Sequence, residues 1–357
     1  MINSLTSIRF YLFLSIFVSH FFFLKKSLIG NFLFENFLYN GNFAVTFFFI
    51  LSGFCIALGY SDKFQALDFD KIKNFIMKRI IKIYPLYIFT GFLCFIINIL
   101  NHLSVKYVIF KLFLFISIYM TMSQAYFPFF AGGNPMGWFV SAIFFCYILT
   151  PFVFLFLKKV MITKSIYLSI WLLIIFVCFI LNFTEIKYSY FYSFPPIRFF
   201  QYLLGIITGI FYKDYLVKVD IWGEKKYLKN FFDVILIVFL VALYLFSFKM
   251  KTYELIFTQV VYIPVFSFTI LYLCSKTPSV LNKFFSNKIN IFLGNISMEC
   301  FLFHFLLIDV SNYYLTKLFP IYSFLNIILI FFVILVETII SSLLFKFLYS
   351  KILNQFS

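Results

Sequence analysis

An arginine and a histidine interrupt an otherwise apolar stretch near the start of the chain. The stretch RFYLFLSIFVSHFFF begins at Arg9, and His20 lies eleven residues after that arginine. On an α-helix, eleven residues at about 100° each return to within roughly 20° of the same face, about 16 Å along the axis. Ionisable groups inside a bilayer are costly and usually face a protein interior or a wet cavity, so the pair predicts a shared functional groove. His20 is a candidate base for a hydroxyl proton, since histidine titrates near neutral pH.

Four further stretches break the apolar pattern with residues that could bind a substrate. Lysine and arginine side chains bind phosphates through charge-assisted hydrogen bonds, and residues 78 and 82 would share a helix face. A serine followed by glycine at 52 and 53 is small enough to let helix backbones approach closely in a membrane bundle. In chain order, the candidate residues are Ser52; Lys78, Arg79, Lys82 and Tyr84; Trp138 and Tyr147; and Glu299 and His304.

Each of these candidates also has a structural interpretation, and the sequence leaves both open. Arg9 could anchor its helix by reaching toward lipid headgroups, and the basic group at 78–82 could do the same. Trp138 fits an interfacial aromatic belt as well as a sugar-stacking surface. His304 could be a structural hydrogen-bonding histidine. Glu299 lies about 140° away from it on a helix, so the two need not meet.

The composition indicates a polytopic membrane protein. Of the 357 residues, 64% are hydrophobic and 12% are charged, and the mean hydropathy is +1.02. Soluble domains have about 45–50% apolar and about 25% charged residues. The formal net charge of +16 comes from lysines scattered over loops, which favours the positive-inside bias of a membrane protein over nucleic-acid binding. Six cysteines lie in apolar stretches without C-x-x-C spacing, and they predict neither a metal site nor a disulfide framework.

Ten apolar segments are long enough to predict membrane-spanning helices. An eleventh, 106–121, is shorter and carries two lysines. If it does not cross, the basic loops all share one side with both termini, which the positive-inside rule makes the cytoplasm. We therefore predict an all-α helical bundle of about ten spans in one domain (1–357), with 106–121 re-entrant or interfacial. The predicted spans are 7–24, 42–60, 83–101, 137–157, 165–182, 198–212, 231–248, 255–274, 295–315 and 322–345.

Five motifs in this order resemble the acyltransferase-3 family of integral membrane acyltransferases, and the resemblance covers nearly the whole chain. The family's R-x10-H pattern is met by Arg9 and His20. The chain departs from the family pattern at Ile143, where many members have Glu, at Phe301 in the place of a Tyr, and in having no acid at 44–46. The other four motifs are met by Phe47, Phe48, Ser52, Gly53 and Phe54; by Lys78, Arg79, Lys82 and Pro85; by Trp138, Tyr147 and Pro151; and by Ile296, Ser297 and His304.

The resemblance implies an enzyme that O-acylates surface or lipid-linked saccharides in a bacterial inner membrane. It implies acetyl-CoA or another acyl-CoA as co-substrate, no permanently bound cofactor, and no nucleic-acid partner. His20 would then be the base and Arg9 would hold the donor. The basic group would bind the phosphates of coenzyme A, and the groove would include Ser52, Tyr84, Trp138, Tyr147, Glu299 and His304. The residues alone leave one alternative, a transporter or flippase of a lipid-linked glycan, and they indicate no oligomeric state.

Overall fold

Helices form every regular element in the part of the chain that the computed structural model describes, and the predicted all-α bundle is confirmed. The described residues are 2–64, 66–101, 104–130, 132–159, 164–182, 188–217, 226–249, 260–276, 278–318 and 323–355. Their α-helices are α1 (Asn3–His20), α2 (Leu28–Leu33), α3 (Asn42–Tyr60), α4 (Phe69–Asn101), α5 (Val105–Leu114), α6 (Gly137–Lys159), α7 (Lys164–Asn182), α8 (Tyr188–Ser193), α9 (Pro195–Phe211), α10 (Lys226–Lys249), α11 (Tyr262–Leu273), α12 (Val280–Phe285), α13 (Lys288–Asn295), α14 (Ser297–Leu318) and α15 (Phe324–Gln355).

Several helices have the length and apolarity of membrane spans. Within the described residues seven helices meet these criteria, or eight if the bent pair α13 and α14 forms one span. Apolar stretches of α7 and α11 are shorter, at Ser165–Ile180 and Tyr262–Leu273. The beginning of the predicted span 255–274 lies outside the described residues. A polytopic membrane protein is therefore supported, and the total of ten spans stays a prediction.

The first helix contacts α3, α13 and α14 and so lies inside the bundle. Its Phe13 and Phe17 are fully buried, and both rings pack against the ring of His304. Tyr11 donates a hydrogen bond to Oδ1 of Asn290 at 2.9 Å, which ties α13 to α1. Because α13 and α14 are bent by 61° relative to one another, the chain changes direction there before α14 passes the end of α1.

Glycines allow α3 and α9 to pack with their backbones in contact. A Cβ atom on Gly53 would overlap the carbonyl oxygen of Tyr202, and one on Gly205 would overlap the carbonyl oxygen of Ile50. Small residues at helix interfaces are the usual route to close packing in membranes, where lipid tails remove the hydrophobic drive between helices. The close approach predicted from the Ser-Gly pair is therefore present, and its partner is α9.

The segment 106–121 returns along α4. Its Phe115 ring packs against Phe95, and its Tyr119 ring stacks on Tyr87 with centroids 4.1 Å apart, so the two stretches run antiparallel. At 1.5 Å per residue, α5 and the π turn that follows it extend about 22 Å, less than the about 30 Å of a bilayer core. The segment is therefore short for a span, and its re-entrant or interfacial placement stays a prediction.

Hydrogen bonds join the segments predicted to be cytoplasmic at one end of the bundle. Contacts at the other end join loops on the opposite side of the same helices, with Asn40 bound to Ser247 at 3.1 Å and Lys26 to Asn312 at 3.1 Å. Both sets of contacts pair residues that the prediction places on the same side of the membrane, and the sidedness itself stays a prediction. The contacts at the first end are Ser4 with the Leu273 carbonyl, Lys213 with Asp62, and Tyr349 with the Ile81 carbonyl.

Replacing Gly53 with alanine should lower the melting temperature of the purified protein, because the added methyl group meets the backbone of α9. Overpacking of this kind costs about 1–3 kcal/mol of unfolding free energy. Gly59→Ala on the same helix is the matched control, since a Cβ there would have no heavy atom within 4 Å. Equal melting temperatures for the two variants in detergent would contradict the proposed contact.

Candidate active site

Two histidines from different helices meet within hydrogen-bonding distance. His20 is the last residue of α1, and its Nδ1 lies 3.0 Å from Nε2 of His304 in α14. Their rings stack with centroids 5.2 Å apart and planes inclined by 22°. On its other side, Nδ1 of His304 lies 2.6 Å from the carbonyl oxygen of Phe301. The sequence singled out the two histidines separately, and the fold brings them together.

The hydrogen-bond partners determine which nitrogen of each ring carries the proton. The Phe301 carbonyl can only accept, so Nδ1 of His304 is the donor, and in a neutral imidazole its Nε2 is then an acceptor. His20 must therefore donate from Nδ1, which leaves the lone pair of its own Nε2 unused by the pair. That atom is the one available to take a proton from a substrate.

A cavity of about 60 Å³ opens beside His20. This volume accommodates a few water molecules or one end of a larger molecule. Its wall combines polar groups with aromatic rings, a mixture suited to a hydroxyl-bearing substrate with an apolar face. The lining residues include the polar side chains of Ser19, His20 and Asn42 and the aromatic side chains of Trp138, Tyr192 and Phe301.

Arg9 lies on α1 eleven residues before the cavity residue His20, beside a second group of cations. Its Nη2 donates to Sγ of Cys55 at 3.5 Å. Lys82 of α4 interacts electrostatically with Arg9, with Arg79 and with Lys346 of α15, and also with Glu299. We call Arg9, Arg79, Lys82 and Lys346 the cation cluster. Glu299 also interacts with Lys346 and so belongs to this cluster's surroundings and not to the histidine pair.

Aromatic rings surround the guanidinium of Arg79. Its Cζ lies 5.0 Å from the ring centroid of Tyr60, 5.1 Å from that of Phe75 and 5.6 Å from that of Tyr147. Its Nε is buried without a hydrogen-bond acceptor among the described residues. A buried donor of this kind suggests a ligand that supplies the acceptor. Tyr147 therefore lies at the cation cluster, whereas Trp138 on the same helix lines the cavity.

The remaining predicted residues lie apart from both groups. Lys78 is exposed on α4, and it is not among the charges that act on Lys82. The hydroxyl of Tyr84 donates to the Met120 carbonyl at 3.0 Å, which fastens the segment 106–121 to α4. Ser52 is half-buried on α3. Tyr84 therefore makes a structural hydrogen bond. Neither Ser52 nor Lys78 makes a described polar contact with the cavity.

Metal-binding clusters do not occur in the part of the chain that the structure describes, where no group of three His, Cys, Asp or Glu side chains is suitably arranged. The cysteines at 55, 94, 146, 178, 274 and 300 are free thiols.

Sequence reasoning missed several residues that lie at or beside these groups, among them Ser19, which lines the cavity next to His20. Lys346 looks like a terminal anchor in the sequence, and only the packing of α15 brings it to the cation cluster. Asn42 and Tyr192 stand at helix ends with no distinguishing pattern. Arg198 carries the same signal as Arg9, a cation at the edge of an apolar segment, and it could have been found on that ground.

A comparison with protein families decides what kind of protein carries this site. The acyltransferase-3 family model, an acyltransferase domain, matches residues 2–346. The chain belongs to this family. The protein is thus an integral membrane acyltransferase, and the family offers no support for the alternative of a transporter or flippase. No curated protein and no solved structure matches the chain. Within this acyltransferase, the motif residues Arg9 and His20 belong to different groups, the first to the cation cluster and the second to the cavity.

The tautomer of His20 can be measured directly in this acyltransferase. The chain has 3 histidines, so nitrogen NMR of the ¹⁵N-histidine-labelled protein should be simple to assign with His20→Gln and His304→Gln variants. At a pH where both rings are neutral, His20 should be protonated at Nδ1 and bare at Nε2, and His304 should show the same pattern. A proton on Nε2 of His20 in the unliganded protein would contradict the hydrogen-bond chain.

Proposed function

We propose that this acyltransferase moves an acyl group, acetyl from acetyl-CoA, to a hydroxyl of a surface or lipid-linked saccharide. The observation that carries the proposal is the chain from the Phe301 carbonyl through His304 to His20, which leaves the lone pair of Nε2 unused on a histidine that lines the cavity. Acyl transfer to a hydroxyl needs a base at that position. The mixed polar and aromatic wall suits a sugar, which carries hydroxyl groups around an apolar ring face.

His20 is the catalytic base in this mechanism. Its Nε2 takes the proton of the acceptor hydroxyl while the hydroxyl oxygen bonds to the acyl carbonyl carbon. The bond from that carbon to the coenzyme A sulfur breaks, and the proton passes to the departing thiolate, so the products are an ester and a free thiol. His304 is a positioning residue, because its Nε2 accepts from the Nδ1 that remains protonated throughout and so stabilises the transient imidazolium.

The donor binds at the cation cluster in this proposal. The family resemblance implies that Lys78, Arg79 and Lys82 bind the phosphates of coenzyme A and that Arg9 holds the donor. In this proposal the phosphates would be held by Arg9, Arg79 and Lys82, with Lys346 as a fourth cation. Guanidinium and ammonium groups bind phosphate through charge-assisted hydrogen bonds, and the buried Nε of Arg79 would gain an acceptor. From there the long pantetheine arm would follow α1 toward His20, about 16 Å along the axis for eleven residues.

The two groups of residues imply a direction across the membrane. We place the cation cluster at the cytoplasmic end, where coenzyme A is found, because the basic loops collect there as the positive-inside rule requires. The acceptor then enters from the opposite end, beside the cavity. In a bacterial inner membrane this arrangement would serve an exported or lipid-linked glycan.

Replacing His20 with alanine should lower acetyl transfer by about 10²–10⁴-fold, the usual contribution of a general base. Acetyl-CoA turnover and the product mass should be measured with purified protein in detergent. His304→Leu should lower the rate by up to about 10²-fold through misplacement of the base. His304→Gln should recover part of that loss, because its amide oxygen can still accept from Nδ1 of His20.

Two results would contradict this assignment of roles. Near-normal turnover in a folded His20→Ala variant would make His20 structural. A His304→Gln variant no more active than His304→Leu would separate His304 from the orientation of the base.

Lys82→Gln should raise the KM for acetyl-CoA about 10- to 150-fold, because a lost charged hydrogen bond costs about 1.5–3 kcal/mol. Lys346→Gln should act in the same direction. Lys78→Gln is the matched comparison, since it removes the same charge from the same helix at a residue that is not among the charges acting on Lys82, and it should have a smaller effect. Equal KM values for Lys82→Gln and wild type would indicate that the cation cluster anchors its helices in the membrane and does not bind acetyl-CoA.

A further inference from the structure

An arginine lies fully buried at the beginning of α9. Arg198 has no exposed surface and follows the two prolines that begin the helix. A cation in the membrane interior is costly, and such residues are usually retained for function. The mechanism above does not use Arg198, and it is not a residue that the acyl transfer itself requires.

Arg198 holds both the backbone and the ring of Tyr192. Its Nε donates to the Tyr192 carbonyl at 2.7 Å, and its Cζ lies 4.5 Å from the centroid of the Tyr192 ring. Its Nη1 donates to Oε1 of Gln201 at 3.0 Å, which fixes the guanidinium plane relative to α9. The end of α8 is therefore fastened to α9 through one side chain.

The same guanidinium also lies against Trp138. Its Cζ is 5.4 Å from the Trp138 ring, and the Trp138 and Tyr192 rings are 5.0 Å apart. These two rings line the cavity beside His20. Cation–π attraction is strongest when the charge is desolvated, as it is here. Arg198 thus lies against Trp138 and Tyr192, the two largest rings that line the cavity, and orders both of them.

We propose that Arg198 is a positioning residue that fixes Trp138 and Tyr192 as a platform for the ring face of a pyranose acceptor. This inference rests on the proposed function, since it specifies the acceptor of that same site. A pyranose presents C–H groups on its faces and hydroxyls around its edge. With a face against the platform, an edge hydroxyl points to the side of the cavity formed by His20, Ser19 and Asn42.

The size of the cavity makes the placement of Trp138 and Tyr192 important for an acceptor ring. At about 60 Å³, the space beside His20 accepts a hydroxyl and its carbon more readily than a whole ring. The rest of the ring must lie along Trp138 and Tyr192, so the placement of these two rings decides which acceptors reach the base. A flexible polyol, which has no ring face to stack, depends much less on that placement.

Transfer to a ring and to an acyclic alcohol distinguishes this role from a structural one. Acetyl transfer from acetyl-CoA to methyl β-D-glucopyranoside and to glycerol should be measured with the same purified protein, and the ratio of the two values of kcat/KM compared. Arg198→Met should lower this ratio about ten-fold, the equivalent of about 1.4 kcal/mol, chiefly through the KM for the glucopyranoside. Arg198→Lys should lie between it and the wild type.

A matched control is available in Lys229, a second buried cation. Its Nζ lies 5.1 Å from the ring of Tyr272, away from Trp138. Lys229→Met should leave the ratio at the wild-type value even if it lowers stability. If Arg198→Met lowers transfer to both acceptors equally, or leaves the ratio unchanged, Arg198 does not position the platform for a ring.

A second measurement tests the platform without relying on catalysis. With Trp171 and Trp222 replaced by phenylalanine, Trp138 is the sole fluorophore of its kind, and Arg198→Met should increase its quenching by acrylamide. The control Lys229→Met should not. Unchanged quenching in Arg198→Met would overturn the role of Arg198. A wild-type protein that neither hydrolyses acetyl-CoA nor acylates either alcohol would instead count against the proposed function.

Discussion

A backbone carbonyl can only accept a hydrogen bond, and the proton positions of His304 and His20 follow from that restriction at Phe301. Because this carbonyl binds Nδ1 of His304, the protons of both histidine rings are assigned. The arrangement depends on where α14 lies, and the segment after α5 helps to set this. Asn134 donates to the carbonyl of Leu302 at 2.6 Å. The loop before α6, which carries Asn134, thus helps to hold α14 and with it His304.

One helix connects the two halves of the site. Arg9 and His20 were expected to share a groove because eleven residues bring them to one face, and the structure gives that spacing a more specific meaning. Arg9 joins the cation cluster with Arg79 and Lys82, while His20 ends α1 at the cavity. Because one helix holds these ends at a constant separation, a donor bound at the cation cluster, as proposed, would always present the same part of its chain to His20.

The all-α class and the pair of Arg9 and His20 on the first helix could be predicted, because they depend on apolar length and on helical periodicity. The family could be predicted from the order of the five motifs along the chain. The contact between His20 and His304 could not be predicted, since it depends on a 61° bend between α13 and α14 that no local sequence pattern indicates. The same holds for Lys346, which packing alone brings near Lys82. The spacing of Lys78 and Lys82 puts both on one helix face. Even so, Arg79 and not Lys78 belongs to the cation cluster.

Aromatic rings lie against two arginines of the described residues. Arg79 and Arg198 each have three rings within cation–π distance. A carboxylate would neutralise the guanidinium, and breaking such a pair to bind a ligand would leave a buried charge. A ring stabilises the cation by about 2 kcal/mol when both are desolvated and leaves its positive charge in place. In the proposed mechanism, the charge of Arg79 is then available to a phosphate of the donor, and the charge of Arg198 orders the rings themselves.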